Sequence, residues 1–288
     1  MNRFRYIICA AASIAAVVTL TTGTTPAAAS ARSHAVRTST TSTSGWDISW
    51  PQCPSHFPRG GGFGVVGVTN GRPWGVNPCL AGEYKWAAGR PAAPGLYMNT
   101  ANPAPHSSYY WPTSGSSDPA LCSDATSVGD AGCAYDYGWH AAANALSSAV
   151  STLTASGLPS SAATSRAWWL DVETGNTWNG TGSANAADLQ GSIDYLRSHG
   201  VPSVGIYSTS YQWGVITGGY ATTTAASYAA GWKPEFTSSY GISGSPDWVA
   251  GAGSLSGAKS NCQRSFTGVK VQLAQYPSSG FDADFRCS

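Results

Sequence analysis

The segment Trp168-Trp169-Leu170-Asp171-Val172-Glu173-Thr174-Gly175 carries an apolar run into two carboxylates two residues apart and then into a glycine. Read as a strand, it points positions 171 and 173 to one face. The run before them is apolar on both faces, as in strands covered by helices on either side. Working outward, similar runs occupy Gly45–Trp50, Phe63–Thr69, Gly95–Asn99, Ala167–Glu173, Ser203–Ser208, Trp248–Gly251 and Lys270–Tyr276. Helical periodicity covers Leu80–Ala88, Tyr135–Ala155 and Ala186–His199. The second of these helices carries Trp139, Ala143, Leu146, Val150 and Leu153 on one face and stops at Gly157, with Pro159 beyond. The third carries Leu189, Ile193 and Leu196. Strand–helix alternation over about 240 residues predicts an α/β fold with a parallel sheet. Seven or eight strands in that length fit an irregular (β/α) TIM-like barrel in a single domain, 45–288; a doubly wound sheet is the alternative. In such a barrel chemistry sits at the C-terminal ends of the strands, where Asp171 and Glu173 fall.

Charged residues make up 10% of the chain and the formal net charge is +1. That balance gives no electrostatic case for nucleic acid or an anionic membrane as a partner. Twelve Trp and 14 Tyr argue for a packed core. Met1–Arg5 is basic, Tyr6–Leu20 is apolar, and Thr21–Ala31 is small and polar, with Ala29-Ser30-Ala31 as a cleavage candidate. This is the layout of a signal peptide over 1–31, and the apolar run is shorter than the ~20 residues of a membrane span. A Ser/Thr-rich stretch, 32–44, reads as a disordered linker. The expected product is secreted, extracellular or wall-associated, free of the membrane after cleavage, and monomeric.

Export changes how the cysteines are read. Cys53, Cys79, Cys122, Cys133, Cys262 and Cys287 remain after cleavage. Six cysteines in an oxidising compartment suggest three disulfides, in one of fifteen pairings. Pairing neighbours in sequence gives 53–79, 122–133 and 262–287. The chain has no Cys-x-x-Cys and its histidines are scattered, so no metal and no cofactor are expected. Pro103–Cys133 reads as a long surface loop. Gly62-Phe-Gly64-Val-Val-Gly67 matches a dinucleotide glycine pattern but lies within a strand, where that pattern has no function.

Two carboxylates on one face hold a proton between them by mutual repulsion. Glycoside hydrolysis needs such a pair: an acid at the leaving oxygen and an anion by the developing cation. Asp47 in the first strand and Asp282 near the end are further acids in comparable places. Trp46, Trp50, Tyr97, Tyr207, Trp248 and Tyr276 fall in strands or at their ends, where aromatic faces suit sugar rings.

Together these pieces resemble glycoside hydrolase family 25, the lysozyme-type muramidases. The resemblance rests, in order, on Asp47-Ile48-Ser49 with Gln52, Phe63–Gly71, Gly95-Leu96-Tyr97, Asp171-Val172-Glu173, Gly205-Ile206-Tyr207, Asp247-Trp248-Val249-Ala250, Gln275-Tyr276 and Asp282. It implies an irregular α/β barrel that cleaves the β-1,4 bond between N-acetylmuramic acid and N-acetylglucosamine. It further implies Glu173 as general acid, Asp171 orienting the substrate acetamide, and Asp47 and Asp282 completing an acidic pocket. The implied partner is peptidoglycan or a related N-acetylated glycan. Trp50, Tyr97, Tyr207, Trp248, Gln275 and Tyr276 are the candidate substrate-binding residues. The chain departs from the family at Gly67 and Asn70, where Lys and Glu are frequent, and at Asp284, where Asn is usual. Those departures keep open a catalytically silent glycan- or cell-wall-binding protein on the same barrel, and an N-acetylhexosaminidase or chitinase-like enzyme is a further alternative, since chitin also offers an N-acetyl group.

Overall fold

The structure is a computed structural model that describes residues 43–53, 56–105, 107–225 and 242–288. The signal peptide expected over 1–31, and the linker up to residue 42, lie outside the described residues. The linker's expected end at 44 is corrected. Ser44 already belongs to the first strand, and the Arg286 N–H donates to the Thr43 carbonyl at 2.7 Å.

Eight strands close one barrel in chain order. They are β1 (Ser44–Ile48), β2 (Gly64–Gly67), β3 (Gly95–Asn99), β4 (Trp168–Asp171), β5 (Val204–Ser208), β6 (Asp247–Val249), β7 (Val271–Ser278) and β8 (Phe281–Arg286). The first seven run parallel, neighbour to neighbour. The expectation of a parallel sheet fails at β8, which runs antiparallel to both β7 and β1. Its cause is a two-residue hairpin: Ser279 and Gly280 both have positive φ, 52° and 78°, and Ser278 pairs with Phe281. Two central residues with φ > 0 are what a type I′ turn requires.

Helices α1 (Leu80–Ala88), α2 (Ala131–Ala155), α3 (Ser161–Thr164), α4 (Gly182–Ser198), α5 (Ser210–Thr217) and α6 (Leu255–Asn261) lie in the connections. Two of the expected helices start four residues earlier than the apolar pattern indicates, because side-chain caps set the start. Asp130 accepts from the Cys133 N–H, and Thr181 from the Ala184 N–H. Helices α2 and α4 touch backbone to backbone: a Cβ at Gly138 would stand 1.9 Å from the Asp188 carbonyl oxygen.

The barrel has two apolar layers. Outward residues of the strands, among them Val66, Leu96, Met98, Leu170 and Ile206, pack with Leu146, Leu189, Ile193 and Trp213 of the helices. Inward residues Phe63, Val65, Trp169, Trp248 and Leu273 fill the lumen. Glycines give these rings room: a Cβ at Gly205 would lie 2.3 Å from the Trp169 ring, and one at Gly67 2.8 Å from the Tyr97 ring. The departure at Gly67 therefore has a packing cause. The three disulfides are Cys53–Cys79, Cys122–Cys133 and Cys262–Cys287, the neighbour pairing.

Candidate active site

Strand β4 ends at Asp171, so Glu173 lies past the strand, not within it as the apolar run suggests. The pairing with β5 nevertheless continues one residue further, because the Val172 N–H donates to the Tyr207 carbonyl at 2.9 Å. The Glu173 carbonyl then accepts from the Asn176 N–H at 3.0 Å and from Trp178 Nε1 at 2.9 Å, which fixes the turn. Gln212 completes the anchorage from the first turn of α5. Its Oε1 accepts from the Thr174 N–H (2.5 Å) and Oγ1 (3.0 Å), and its side chain hydrogen-bonds the Glu173 carboxylate. Thr209 caps that turn, accepting from the Gln212 N–H at 3.1 Å.

Asp171 is held by Asn99, its in-register partner on β3. Asn99 Nδ2 donates to Asp171 Oδ2. Asn99 Oδ1 accepts from Thr69 Oγ1 at 2.8 Å and from the Gly71 N–H at 3.0 Å, tying the loop after β2 to the site. Asp171 Oδ1 is buried and has no hydrogen-bond partner. Burial pushes the Asp171 carboxyl well above the usual range, the Glu173 charge adds to this, and the Asn99 donor opposes it. Glu173 is raised by burial and by the Asp282 charge, against the Gln212 hydrogen bond. The pair therefore retains a proton at pH values where free carboxyls have lost theirs.

Asp47 and Asp282 stand directly opposite each other across the β1–β8 ladder. Burial and the Asp282 charge raise Asp47 to about 7. Asp284, fully buried, is held well above the usual carboxyl range by burial and by the Asp47 charge, so this pair too retains a proton. Asp282 is exposed at its residue surface, yet partial burial of its carboxyl raises it as well. A chain of side chains links this cluster to β5: Tyr207 OH donates to Gln275 Oε1 (2.8 Å), and Gln275 Nε2 donates to Asp47 Oδ2 (3.1 Å). Burial keeps Tyr207 and Tyr97 protonated.

The expected aromatic set divides. Tyr97 and Tyr207 lie in the lumen, edge-on to Trp248 at 6.3 and 4.7 Å. Trp248 is only 2% exposed and donates to Asp284 Oδ1 at 2.7 Å, so it is the floor of the site, beneath any ligand. Trp50 is 45% exposed and lies beside Gly71 in the loop after β2. Tyr276 is a correction: it packs outside the barrel against the cluster of Val249, Ala258 and Ala274. Side chains alternate along β7, so with Gln275 inward Tyr276 faces outward. Trp46, one residue from the inward Asp47, likewise faces outward and meets Phe281 edge-on at 6.3 Å.

Asn99 and Gln212 were not singled out from the sequence. Thr209-x-x-Gln212 is a capping-box signature that marks the start of α5, the signal that was available. Among the described residues no group of three or more His, Cys, Asp or Glu could hold a metal ion, and no helix is long and apolar enough to cross a membrane.

A family model described as lysozyme-like protein 1 matches residues 107–232, under half of the chain. A curated relative, the probable GH family 25 lysozyme 4 of Dictyostelium discoideum, is 44% identical over 52 residues. That match covers 18% of this chain and 24% of the relative, about a quarter of its length. Among solved structures, the bacterial lysozyme of Streptomyces coelicolor aligns with TM-score 0.50 at 16% identity, over 86% of this chain and 94% of that one. A family GH25 lysozyme of Aspergillus fumigatus aligns with TM-score 0.48 at 16% identity, over 86% and 95%. At 16% identity the likeness to the Streptomyces coelicolor lysozyme is one of fold. Residues 107–232 are thus similar to a lysozyme-like family, and the closed eight-stranded barrel shares its fold with the Streptomyces coelicolor structure.

Proposed function

We propose that this lysozyme-like barrel is a secreted muramidase. It cleaves the β-1,4 bond between N-acetylmuramic acid and N-acetylglucosamine in peptidoglycan. The observation that carries the reading is the pair at the end of β4: two carboxyls lifted together, with Asp171 Oδ1 buried and unpartnered. A buried acceptor without a donor is costly, and a substrate N–H relieves it. In this reading Asp171 Oδ1 accepts the acetamide N–H. The acetamide oxygen is thereby turned onto the anomeric carbon and forms a bond there as the glycosidic C–O bond breaks. Glu173 gives its proton to the departing oxygen. Glu173 then takes a proton from water, which opens the cyclic intermediate and restores the acetamide. Asn99 and Gln212 hold the two carboxyls in place. Asp47 and Asp282 add negative charge beside the developing cation. Export rests on residues 1–31.

The test is product analysis. Purified peptidoglycan is digested with the secreted protein and the new reducing ends are identified by mass spectrometry after borohydride reduction. Reduced N-acetylmuramic acid ends are expected. Reduced N-acetylglucosamine ends would assign a different bond. Retained wall binding with no new ends would favour the silent glycan-binding alternative.

A further inference from the structure

A cavity of about 710 Å³ is lined in part by the turn that follows Glu173. Three segments build it: Asn70–Gly75 of the loop after β2, the long segment between β3 and α2, and Gly175–Thr177 of the turn that follows Glu173. Its aromatic wall is Trp74 stacked on Tyr110, with ring centroids 3.9 Å apart and planes 6° apart. Tyr137 of α2 meets Trp74 edge-on at 5.9 Å. The segment that supplies Tyr110 is pinned to α2 by Cys122–Cys133 and by the Ala120 N–H, which donates to Asp136 Oδ1 at 2.9 Å. Within it, Trp111 Nε1 donates to the Ala125 carbonyl at 2.9 Å. The wall is therefore built before any ligand arrives.

The charge of this cavity is opposite to that of its neighbour. The cleavage centre gathers Asp47, Asp171, Glu173, Asp282 and Asp284. The cavity has no Asp or Glu among its described lining residues, and one cation, the exposed Arg72. Asn176 adds Nδ2, a donor with no partner. A neutral sugar has no electrostatic reason to prefer either site. A carboxylate is repelled by the first and attracted by the second, where a guanidinium offers a forked set of donors.

We propose that this cavity is a specificity site for a carboxylate-bearing substituent of the glycan, the class to which the peptide stems of peptidoglycan belong. Arg72 takes the carboxylate, and the Trp74–Tyr110 wall takes the apolar part of the substituent. The assignment deepens the muramidase reading and rests on it for the placement of the sugar beside Glu173.

Two soluble probes test it: a muramyl disaccharide carrying its peptide stem, and the same disaccharide with the stem replaced by a neutral methylamide on the lactyl carboxyl. Each is titrated calorimetrically into the wild type and into Arg72→Gln at low salt. The wild type is expected to bind the stem-bearing sugar about tenfold more tightly, the effect of one charge-assisted contact. Arg72→Gln should erase that preference and leave the affinity for the stem-free sugar unchanged. Its melting temperature should also stay the same, since Arg72 is exposed. Equal binding of the two sugars by the wild type, binding of neither, or a preference that survives in Arg72→Gln would overturn the assignment. A stem preference in a protein that releases no reducing ends would refute the muramidase reading and leave the cavity assigned. Turnover without a stem preference would do the reverse.

Discussion

Replacing Asp47 with Asn should make the protein more stable at neutral pH. The wild-type carboxyl is raised from 3.8 to about 7 by burial and by the Asp282 charge. Between those values the folded state binds a proton that the unfolded chain has released. Stability therefore falls as pH rises from about 4 to about 7. A difference of about three pH units at about 1.4 kcal/mol each gives about 4 kcal/mol as the full effect of this group. The amide introduced by Asp47→Asn keeps an oxygen for Gln275 Nε2 and carries no charge at any pH in the range. Urea denaturation at intervals from pH 4 to 8 checks the reasoning. The stability of the variant relative to the wild type should grow across that range, by up to about 4 kcal/mol, and level off above about pH 8. Glu83, also buried and raised to about 7, contributes the same slope to both proteins and cancels. Parallel pH dependences in the two proteins would refute the account of Asp47.

Three further perturbations follow from the same geometry. Gln212→Ala removes a hydrogen bond that lowers the Glu173 pKa. Activity that needs Glu173 protonated should then persist to higher pH, with a lower maximum because the Thr174 anchor is lost; a kcat/KM profile against pH reads both. Asn99→Ala removes the acceptor of the Thr69 hydroxyl, which keeps its bond from the residue-99 N–H, and that of the Gly71 N–H, and leaves Asp171 without its donor. A loss of about 3 kcal/mol in chemical denaturation is expected, at about 1–3 kcal/mol per buried group left unpaired. Replacing Cys122 and Cys133 by Ser opens a loop closed across a separation of 11 residues, which should cost about 3 kcal/mol in the same assay.

Much of the scaffold was legible because its strands are buried on both faces and read as continuous apolar runs. Leu80–Ala88 and Gly95–Asn99 have the boundaries that their patterns predict. The last strand was obscured because Phe281–Arg286 alternates acids with other residues, and its reversal depends on a Ser-Gly turn that carries little pattern of its own. Helix α5 has only eight residues and no strong apolar stripe, so Gln212 was hidden with it. Asp171 and Glu173 stood out because charge at the end of an apolar run is conspicuous. Asn99 sits in the equivalent place on β3 but is neutral, and nothing in its type marks it as the partner of a carboxylate. Tyr276 misled because aromatic type was weighed without strand parity: adjacent residues of one strand cannot both face the lumen.

The most direct measurement is the rate of reducing-end release from purified peptidoglycan by the wild type and by Glu173→Gln, with both proteins confirmed folded by thermal melts. The substitution keeps the shape of the side chain and removes its proton. The account predicts a fall of at least about a hundredfold in the variant, the low end for loss of a positioned general acid. Equal rates in the two proteins would contradict it.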